Sequence, residues 1–222
     1  MTYIYFPIVI FFAYKILRYF FSAYQKTKLP IAEVLNWHYS EMEKYPQNHI
    51  EIIVSLIMEI SEIHLKEDSK KFKGHDGKSI AELERNLNIK LPYGYSHFLE
   101  KIGASDLKIF DSQGYSINDV YYAQEVSNNI LSNDNIALPT NAFVFSTWQG
   151  YSFYYFINNG TENPDTYLYI EKGDDEANTN PGTISYGSFT DWLLKLAIDS
   201  LELNKSFGFK TQERIIKLKK YL

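Results

Sequence analysis

The chain has 222 residues, of which 45% are apolar and 22% are charged, and it contains no cysteine. This composition supplies enough apolar side chains for a folded core and excludes a disordered chain. The lack of cysteine excludes a disulfide framework, cysteine-ligated zinc, an iron–sulfur cluster and a thiol nucleophile.

The formal net charge of −5 is unevenly distributed along the chain. Residues 1–30 and 210–222 each carry a net charge of +4, whereas residues 31–209 carry −13. An acidic body repels the phosphate backbone, so we expect no nucleic-acid partner. The same charge attracts basic proteins and speeds their encounter with the chain.

Residues 1–24 are strongly apolar and are expected to form a helix. Three interpretations remain open for it: a short membrane anchor, a helix lying in the membrane interface, or a helix covered by protein. A cleaved signal peptide is disfavoured because no basic residues precede the apolar run. The basic residues that follow the run predict that the acidic body is cytoplasmic, anchored to the inner membrane under the first of these interpretations. The membrane-facing candidates are Ile4, Phe6, Ile8, Val9, Phe11 and Phe12.

Residues 25–74 are expected to form a helical extension and a linker. Apolar residues from Ile31 recur at helical spacing until Pro46, and a second apolar stripe runs from Ile50 to Ile63. Asn48 is the expected N-cap of the second helix. The stripe is interpreted as core, and the charged segment 66–78 as the linker.

The main domain is expected to span residues 75–203 and to open with two helices. Residues 79–82 read as a capping box with Ser79 at the N-cap, and the next helix is expected to begin with Pro92 at its first position. Gly103 is the expected left-handed stop of that second helix.

The rest of the domain is predicted to be mostly strands. We expect a strand at 107–110, a turn at 111–114, a helix at 117–131, strands at 143–146, 151–157 and 166–170, and an acidic loop at 172–182. A capping box from Ser188 to Asp191 opens the last helix, and a basic tail follows at 204–222. The predicted class is α+β, a mostly antiparallel sheet flanked by helices with an N-terminal helical extension.

The residues offer no recognisable catalytic chemistry. The histidines show no metal-ligand spacing, and nucleotide-binding and nucleophile motifs are absent. We therefore expect neither a metal, nor a cofactor, nor catalytic residues. Exposed aromatic and acidic side chains in turns are suitable anchors for a basic protein, although Trp148 could equally belong to the core. The partner-binding candidates are Trp148, Tyr151, Asp174, Asp175 and Glu176.

Several blocks of residues, in order along the chain, together resemble the SUKH superfamily. The similar blocks are Ile80–Glu84, Leu91-Pro92, Phe98-Leu99, Phe143–Ser146, Gln149-Gly150, Tyr154–Phe156, Tyr167–Tyr169 and Ser188-Phe189 with Trp192-Leu193. The family often has Gly-Gly after its second helix, where this chain has Gly103-Ala104.

The resemblance implies a SUKH-like fold and a binding protein rather than an enzyme. Its bacterial members include immunity proteins, which neutralise a cognate toxin of the polymorphic or contact-dependent kind by direct contact. The implied partner is therefore a toxin, expected to be basic. The alternative is a membrane-tethered regulatory or scaffolding adaptor in cell-envelope synthesis, like the fungal Smi/Knr regulators of the superfamily.

Overall fold

The computed structural model describes residues 31–63, 71–107, 110, 113–172 and 183–203. The expected apolar helix at 1–24, with its membrane-facing candidates, and the basic tail at 204–222 lie outside the described residues. None of the helices within the described ranges is long and apolar enough to cross a membrane.

Six α-helices, one short 3-10 helix (Pro46–Asn48) and five strands make up the described part of the chain. The helices are α1 (Ile31–Lys44), α2 (His49–Ile63), α3 (Gly77–Leu87), α4 (Tyr93–Ile102), α5 (Ile117–Asp134) and α6 (Phe189–Leu203). The strands are β1 (Gln113–Gly114), β2 (Ala142–Trp148), β3 (Ser152–Ile157), β4 (Asp165–Ile170) and β5 (Thr183–Ser188). All neighbouring strands are antiparallel, and the sheet follows the chain order β1-β2-β3-β4-β5. The predicted α+β class with an antiparallel sheet is confirmed.

The sheet separates two apolar clusters of unequal size. Alternate strand residues point to opposite faces, so Phe143 and Phe156 face one cluster while Val144 and Tyr155 face the other. The larger cluster lies under α4 and α6, and we call this side the two-helix face. The smaller cluster lies under α5, and we call that side the one-helix face.

The second helix of the extension belongs to the larger cluster. Ile53 and Ile57 of α2 are fully buried there, which confirms that the stripe is core. The Tyr93 hydroxyl of α4 donates to Glu51 Oε1 of α2 at 2.5 Å, and this bond raises the pKa of Tyr93 to about 12. Apolar burial and a charged hydrogen bond thus hold α2 against α4.

The expected linker also contacts the main domain where it is described. The His75 amide donates to the Leu99 carbonyl at 2.9 Å, and the Ala104 amide donates to the Lys73 carbonyl at 2.9 Å. A Cβ on Gly74 would lie only 1.5 Å from the Glu100 carbonyl oxygen, so glycine permits this close approach. The domain limits that we drew from the sequence stay a prediction.

Of the three helix starts predicted in the main domain, two differ from the sequence expectation. Asp76, not Ser79, caps α3, because the Asp76 carboxylate accepts from the Ser79 amide at 2.8 Å. Pro92 is the N-cap of α4 rather than its first residue. The expected capping box of α6 is present, since the Ser188 amide donates to Asp191 Oδ2 at 2.8 Å and the Asp191 amide donates back to Ser188 Oγ at 3.3 Å.

The region after α4 also departs from the expectation. Gly103 has φ −64°, so it is not a left-handed stop; it is needed for space, because a Cβ there would lie 2.5 Å from Leu99 Cα. Leu107 and Phe110 form a turn instead of a strand, with the Phe110 amide donating to the Leu107 carbonyl at 3.0 Å. Both side chains are buried in the same cluster, whereas a strand would point residues three apart to opposite faces. The expected turn at 111–114 contains β1, whose Gln113 pairs with Trp148.

Candidate partner-binding site

The tight turn between β2 and β3 presents an aromatic pair at one end of the sheet. Gln149 and Gly150 both have positive φ, 55° and 80°, which suits a two-residue hairpin turn. The rings of Trp148 and Tyr151 flank this turn with centroids 5.9 Å apart. The Tyr151 hydroxyl donates to Gln149 Oε1 at 2.9 Å, which restrains the ring over the turn.

The two aromatic candidates differ in exposure. Tyr151 is 40% exposed and belongs to no apolar cluster, so its ring is available to a partner. Trp148 is partly buried and packs against the large core cluster. Trp148 was expected either to bind a partner or to belong to the core. Its side chain packs on the core and is also partly exposed beside Tyr151.

The connection from β4 to β5 leaves the sheet beside this turn. The Glu171 amide donates to the Tyr151 carbonyl at 2.9 Å, and β5 re-enters the sheet with Thr183 paired to Tyr169. Both ends of the connection are thus at the Tyr151 end of the sheet. The remaining candidates, Asp174, Asp175 and Glu176, lie within this connection and outside the described residues.

A buried carboxylate fixes the start of the connection. Asp134, at the end of α5, is 8% exposed and accepts from the Tyr169 hydroxyl at 2.7 Å and from the Lys172 amide at 3.2 Å. The Lys172 ammonium donates to the Asp134 carbonyl at 3.2 Å. Burial and the Asp134 carboxylate raise the pKa of Tyr169, so its hydroxyl stays protonated and continues to donate. These bonds define where the acidic connection begins.

Sequence reasoning missed this support of the site. Asp134 and Tyr169 are 35 residues apart, and neither belongs to a motif whose spacing could reveal the contact. The helix end itself carried a signal, since Asn135 has φ 53° and Asn is a common left-handed residue after a helix.

Metal-binding side chains do not cluster in the part of the chain that the structure describes. Within the ranges that the structure describes, no three His, Cys, Asp or Glu side chains lie where they could hold a metal ion. The buried His38 lies 3.1 Å from Glu59 through its Nε2 and joins α1 to α2, which is a structural contact. The geometry at the sheet end suits protein contact, with a rigid aromatic turn beside a polar connection.

Comparison with known families decides what kind of domain this is. The family model SUKH_6, described as SMI1-KNR4 cell-wall, matches residues 77–193, which is just over half of the 222-residue chain. The chain belongs to the SUKH family. The matched SUKH region begins with the first residue of α3 and contains all five strands and the candidate turn. No curated protein and no solved structure matches the chain.

The SUKH match leaves α1 and α2 outside its range, although α2 lies in the same core cluster as α4 and α6. The SUKH region therefore buries part of its two-helix face against α2, which lies outside the match. The β2–β3 turn and the start of the β4–β5 connection lie together at one end of the sheet, where the Glu171 amide donates to the Tyr151 carbonyl. Aromatic and polar side chains meet there at a loop end.

Proposed function

We propose that this chain is an immunity protein, which binds and neutralises a cognate bacterial toxin by direct contact. Membership of the SUKH family makes toxin immunity consistent with the fold. The observation that carries the proposal is the match of the SUKH family model to residues 77–193. The bond from the Glu171 amide to the Tyr151 carbonyl joins the exposed aromatic turn to the connection in which Asp174, Asp175 and Glu176 follow.

The proposed contact combines an aromatic anchor with negative charge. Tyr151 supplies contact area at low entropic cost because the turn and its own hydroxyl bond already restrain it. The acidic residues of the connection supply attraction to a basic toxin and raise the rate of encounter. The chain acts without chemistry of its own, because blocking the toxin's active or substrate surface requires only tight binding.

The direct test is calorimetry with the full chain and a purified, catalytically inactivated toxin domain encoded beside its gene. We expect Tyr151→Ala to raise the dissociation constant about 10-fold or more, which is a loss of about 1.4 kcal/mol of binding free energy. Tyr45→Ala is the matched control, because Tyr45 is 37% exposed against 40% for Tyr151 and lies at the start of the turn between α1 and α2. Equal affinity for both variants would contradict the proposed site.

The acidic residues give a second arm of the same experiment. Charge reversal of Asp174, Asp175 and Glu176 to Lys is expected to weaken toxin binding and to leave the melting temperature unchanged. The reason is that these residues are proposed to act on the partner and not on the fold. Unchanged affinity would remove the acidic connection from the site while leaving Tyr151 to be judged separately.

The second candidate is a regulatory or scaffolding adaptor in envelope synthesis, tethered at the membrane. The observation that favours it is the description of the matching family model, which names the cell wall. If the chain is an adaptor, it should have no measurable affinity for the neighbouring toxin domain, and its deletion should alter cell-wall composition. If the chain is an immunity protein, it should bind the toxin domain, and its deletion should leave cell-wall composition unchanged.

A further inference from the structure

The outer side of α5 carries a continuous polar and aromatic stripe. Six of its exposed residues follow one another at helical spacing, and we call them the α5 stripe: Asn118, Tyr121, Tyr122, Glu125, Asn128 and Asn129. Tyr122 is 57% exposed and Tyr121 is 40% exposed, which places both among the most exposed large side chains described. The opposite side of α5 is buried against the sheet.

The α5 stripe is an unusual composition for a solvent-exposed helix. Such faces ordinarily carry Lys, Arg, Glu and Gln, which favour the helix and dissolve well. None of the 18 residues of α5 is Lys or Arg, and Asn and Tyr are weaker helix formers. Stability of the isolated helix therefore does not account for the choice of residues.

The buried side of α5 and the caps at its two ends hold the helix in place instead. Ser116 and Asp119 form a capping box, in which the Ser116 amide donates to Asp119 Oδ2 at 2.9 Å. At the other end Asn135 adopts the left-handed conformation and its amide bonds back to the last turn. Strong caps allow the outer residues to be selected for another property.

Recognition of a protein surface is such a property. Tyr and Asn are the residues that protein-binding surfaces use for rigid aromatic contact and adaptable hydrogen bonding. Glu125 lies one turn from Tyr121 and Tyr122 and contributes the negative charge of the stripe. A guanidinium can stack on a tyrosine ring and pair with a carboxylate at the same time, so the chemistry fits exposed arginine.

The stripe continues into the turn site. Asn133, in the last turn of α5, donates through Nδ2 to Glu171 Oε1 at 3.3 Å, and the Glu171 amide bonds to Tyr151. The only cation of this junction within the described residues, Lys172, donates to the Asp134 carbonyl. One partner could therefore contact α5 and the β2–β3 turn together.

We propose that the α5 stripe is a second contact surface for the toxin and receives an arginine-bearing patch of that protein. The inference rests on the proposed function and extends the site from the sheet end along the one-helix face. The stripe covers about 17 Å of helix, at 1.5 Å per residue, and this length suits the partner's patch rather than a single side chain.

The test compares two charge changes in the full chain against the same inactivated toxin domain. Tyr122→Lys combined with Glu125→Lys places cations on the stripe, and lysine favours the helix, so α5 is expected to stay folded. Glu62→Lys is the control, because Glu62 is exposed on α2 and belongs to the extension. We expect the stripe variant to bind at least 10-fold more weakly and the control to bind within twofold of the unmodified chain.

A second measurement does not depend on any variant. Hydroxyl-radical labelling of Tyr122 in the complex is expected to slow at least threefold relative to the free chain, while labelling of Tyr45 stays constant. Toxin binding with unchanged affinity of the stripe variant and unchanged labelling of Tyr122 would overturn the stripe alone. Failure of the unmodified chain to bind the toxin domain would overturn the proposed function and the stripe with it.

Discussion

The two faces of the sheet in this SUKH domain differ in the size of their apolar clusters and in the elements that cover them. On the two-helix face, the Phe145 ring lies within 6 Å of the rings of Tyr95, Phe156, Phe189 and Trp192, and all five side chains are fully buried. On the one-helix face, a smaller cluster around Phe153 and Tyr169 is covered by α5 and by Ile136 and Leu138, which follow it.

The difference shows where the chain can vary without losing its fold. The two-helix face is closed by packing from several elements, including α2 from outside the family match. The one-helix face uses the inner side of α5, so the outer side can carry binding residues. Of these, the Tyr121 hydroxyl already accepts from Asn86 Nδ2 at 3.1 Å. The proposed contacts all lie on this face or at the sheet end beside it.

The largest expected effect on stability comes from removing one buried aromatic ring on each face of the sheet. Phe145→Ala should lower the free energy of unfolding by about 3–5 kcal/mol, because its neighbours are fixed from several sides and the cavity cannot collapse. Phe153→Ala, which removes an equally buried ring, should fall at the lower end of that range, since α5 can settle onto the cavity. Urea unfolding measures both, and a larger loss for Phe153→Ala would reverse the assignment of the main core.

Loss of a helix cap should cost less than loss of a core ring. Asp119→Ala removes the carboxylate that accepts from the Ser116 amide, and Asp191→Ala removes its counterpart at Ser188. Each change should lower the free energy of unfolding by about 1 kcal/mol. Circular dichroism during urea unfolding checks this, and a much smaller loss for Asp119→Ala would contradict the view that caps hold α5.

A pH test probes the attachment of α2 to the two-helix face. Burial lowers the pKa of His97 in spite of the nearby carboxylates of Glu51 and Glu100, with Lys101 acting in the same direction as burial. The unfolded chain therefore takes up this proton first, and stability should fall as pH drops from 7.5 through the ordinary histidine pKa of about 6.5. Unfolding at pH 7.5 and 5.5 should show a smaller fall for His97→Gln than for the unmodified chain.

Protonation of Glu51 should also lower stability as pH falls, but over a lower pH range than protonation of His97. Burial acts to raise the pKa of Glu51, but the Tyr93 hydroxyl, its own backbone amide and His97 together hold the pKa below its ordinary value. Its contribution is present above the unfolded pKa and is lost only as pH falls through the folded one. The interval from 7.5 to 5.5 therefore separates the effect of His97 from that of Glu51. An unchanged slope in His97→Gln would contradict the assignment.

The smallest expected effect is a gain in stability on the α5 stripe. Asn128→Ala and Asn129→Ala should each raise the free energy of unfolding by about 0.5 kcal/mol, because alanine is the better helix former at an exposed position. Toxin binding should weaken in the same variants. A loss of stability would show that these asparagines support the fold and do not serve recognition.

The apolar pattern predicted most of the fold. The strands at β2, β3 and β4, the turn at Gln149-Gly150 and the cap of α6 follow from local chemistry, and the structure confirms them. β5 was missed because its first residues, Thr183 and Ser185, are polar and exposed, and Ile184 is exposed as well, so no buried alternation marks the strand. An edge strand is fixed by its hydrogen bonds to β4, and a sequence does not display them.

The site was predicted in its parts and not in its arrangement. The exposure of Tyr151 follows from its place in a turn, and an exposed aromatic beside acids is a local signal. The partial burial of Trp148 depends on the distant core cluster, and the support from Asp134 depends on a strand 35 residues away. The α5 stripe was not recognised as a surface because helical periodicity reports the buried side of a helix.

The central claim is that this SUKH domain neutralises a toxin by contact at the sheet end, and growth of cells measures it most directly. Active toxin is expressed with the full chain, with Tyr151→Ala combined with charge reversal of Asp174, Asp175 and Glu176, or with Tyr45→Ala. We predict that the unmodified chain and Tyr45→Ala restore growth while the combined variant, present at the same soluble level, does not. Restored growth with the combined variant, or none with the unmodified chain, would contradict the account.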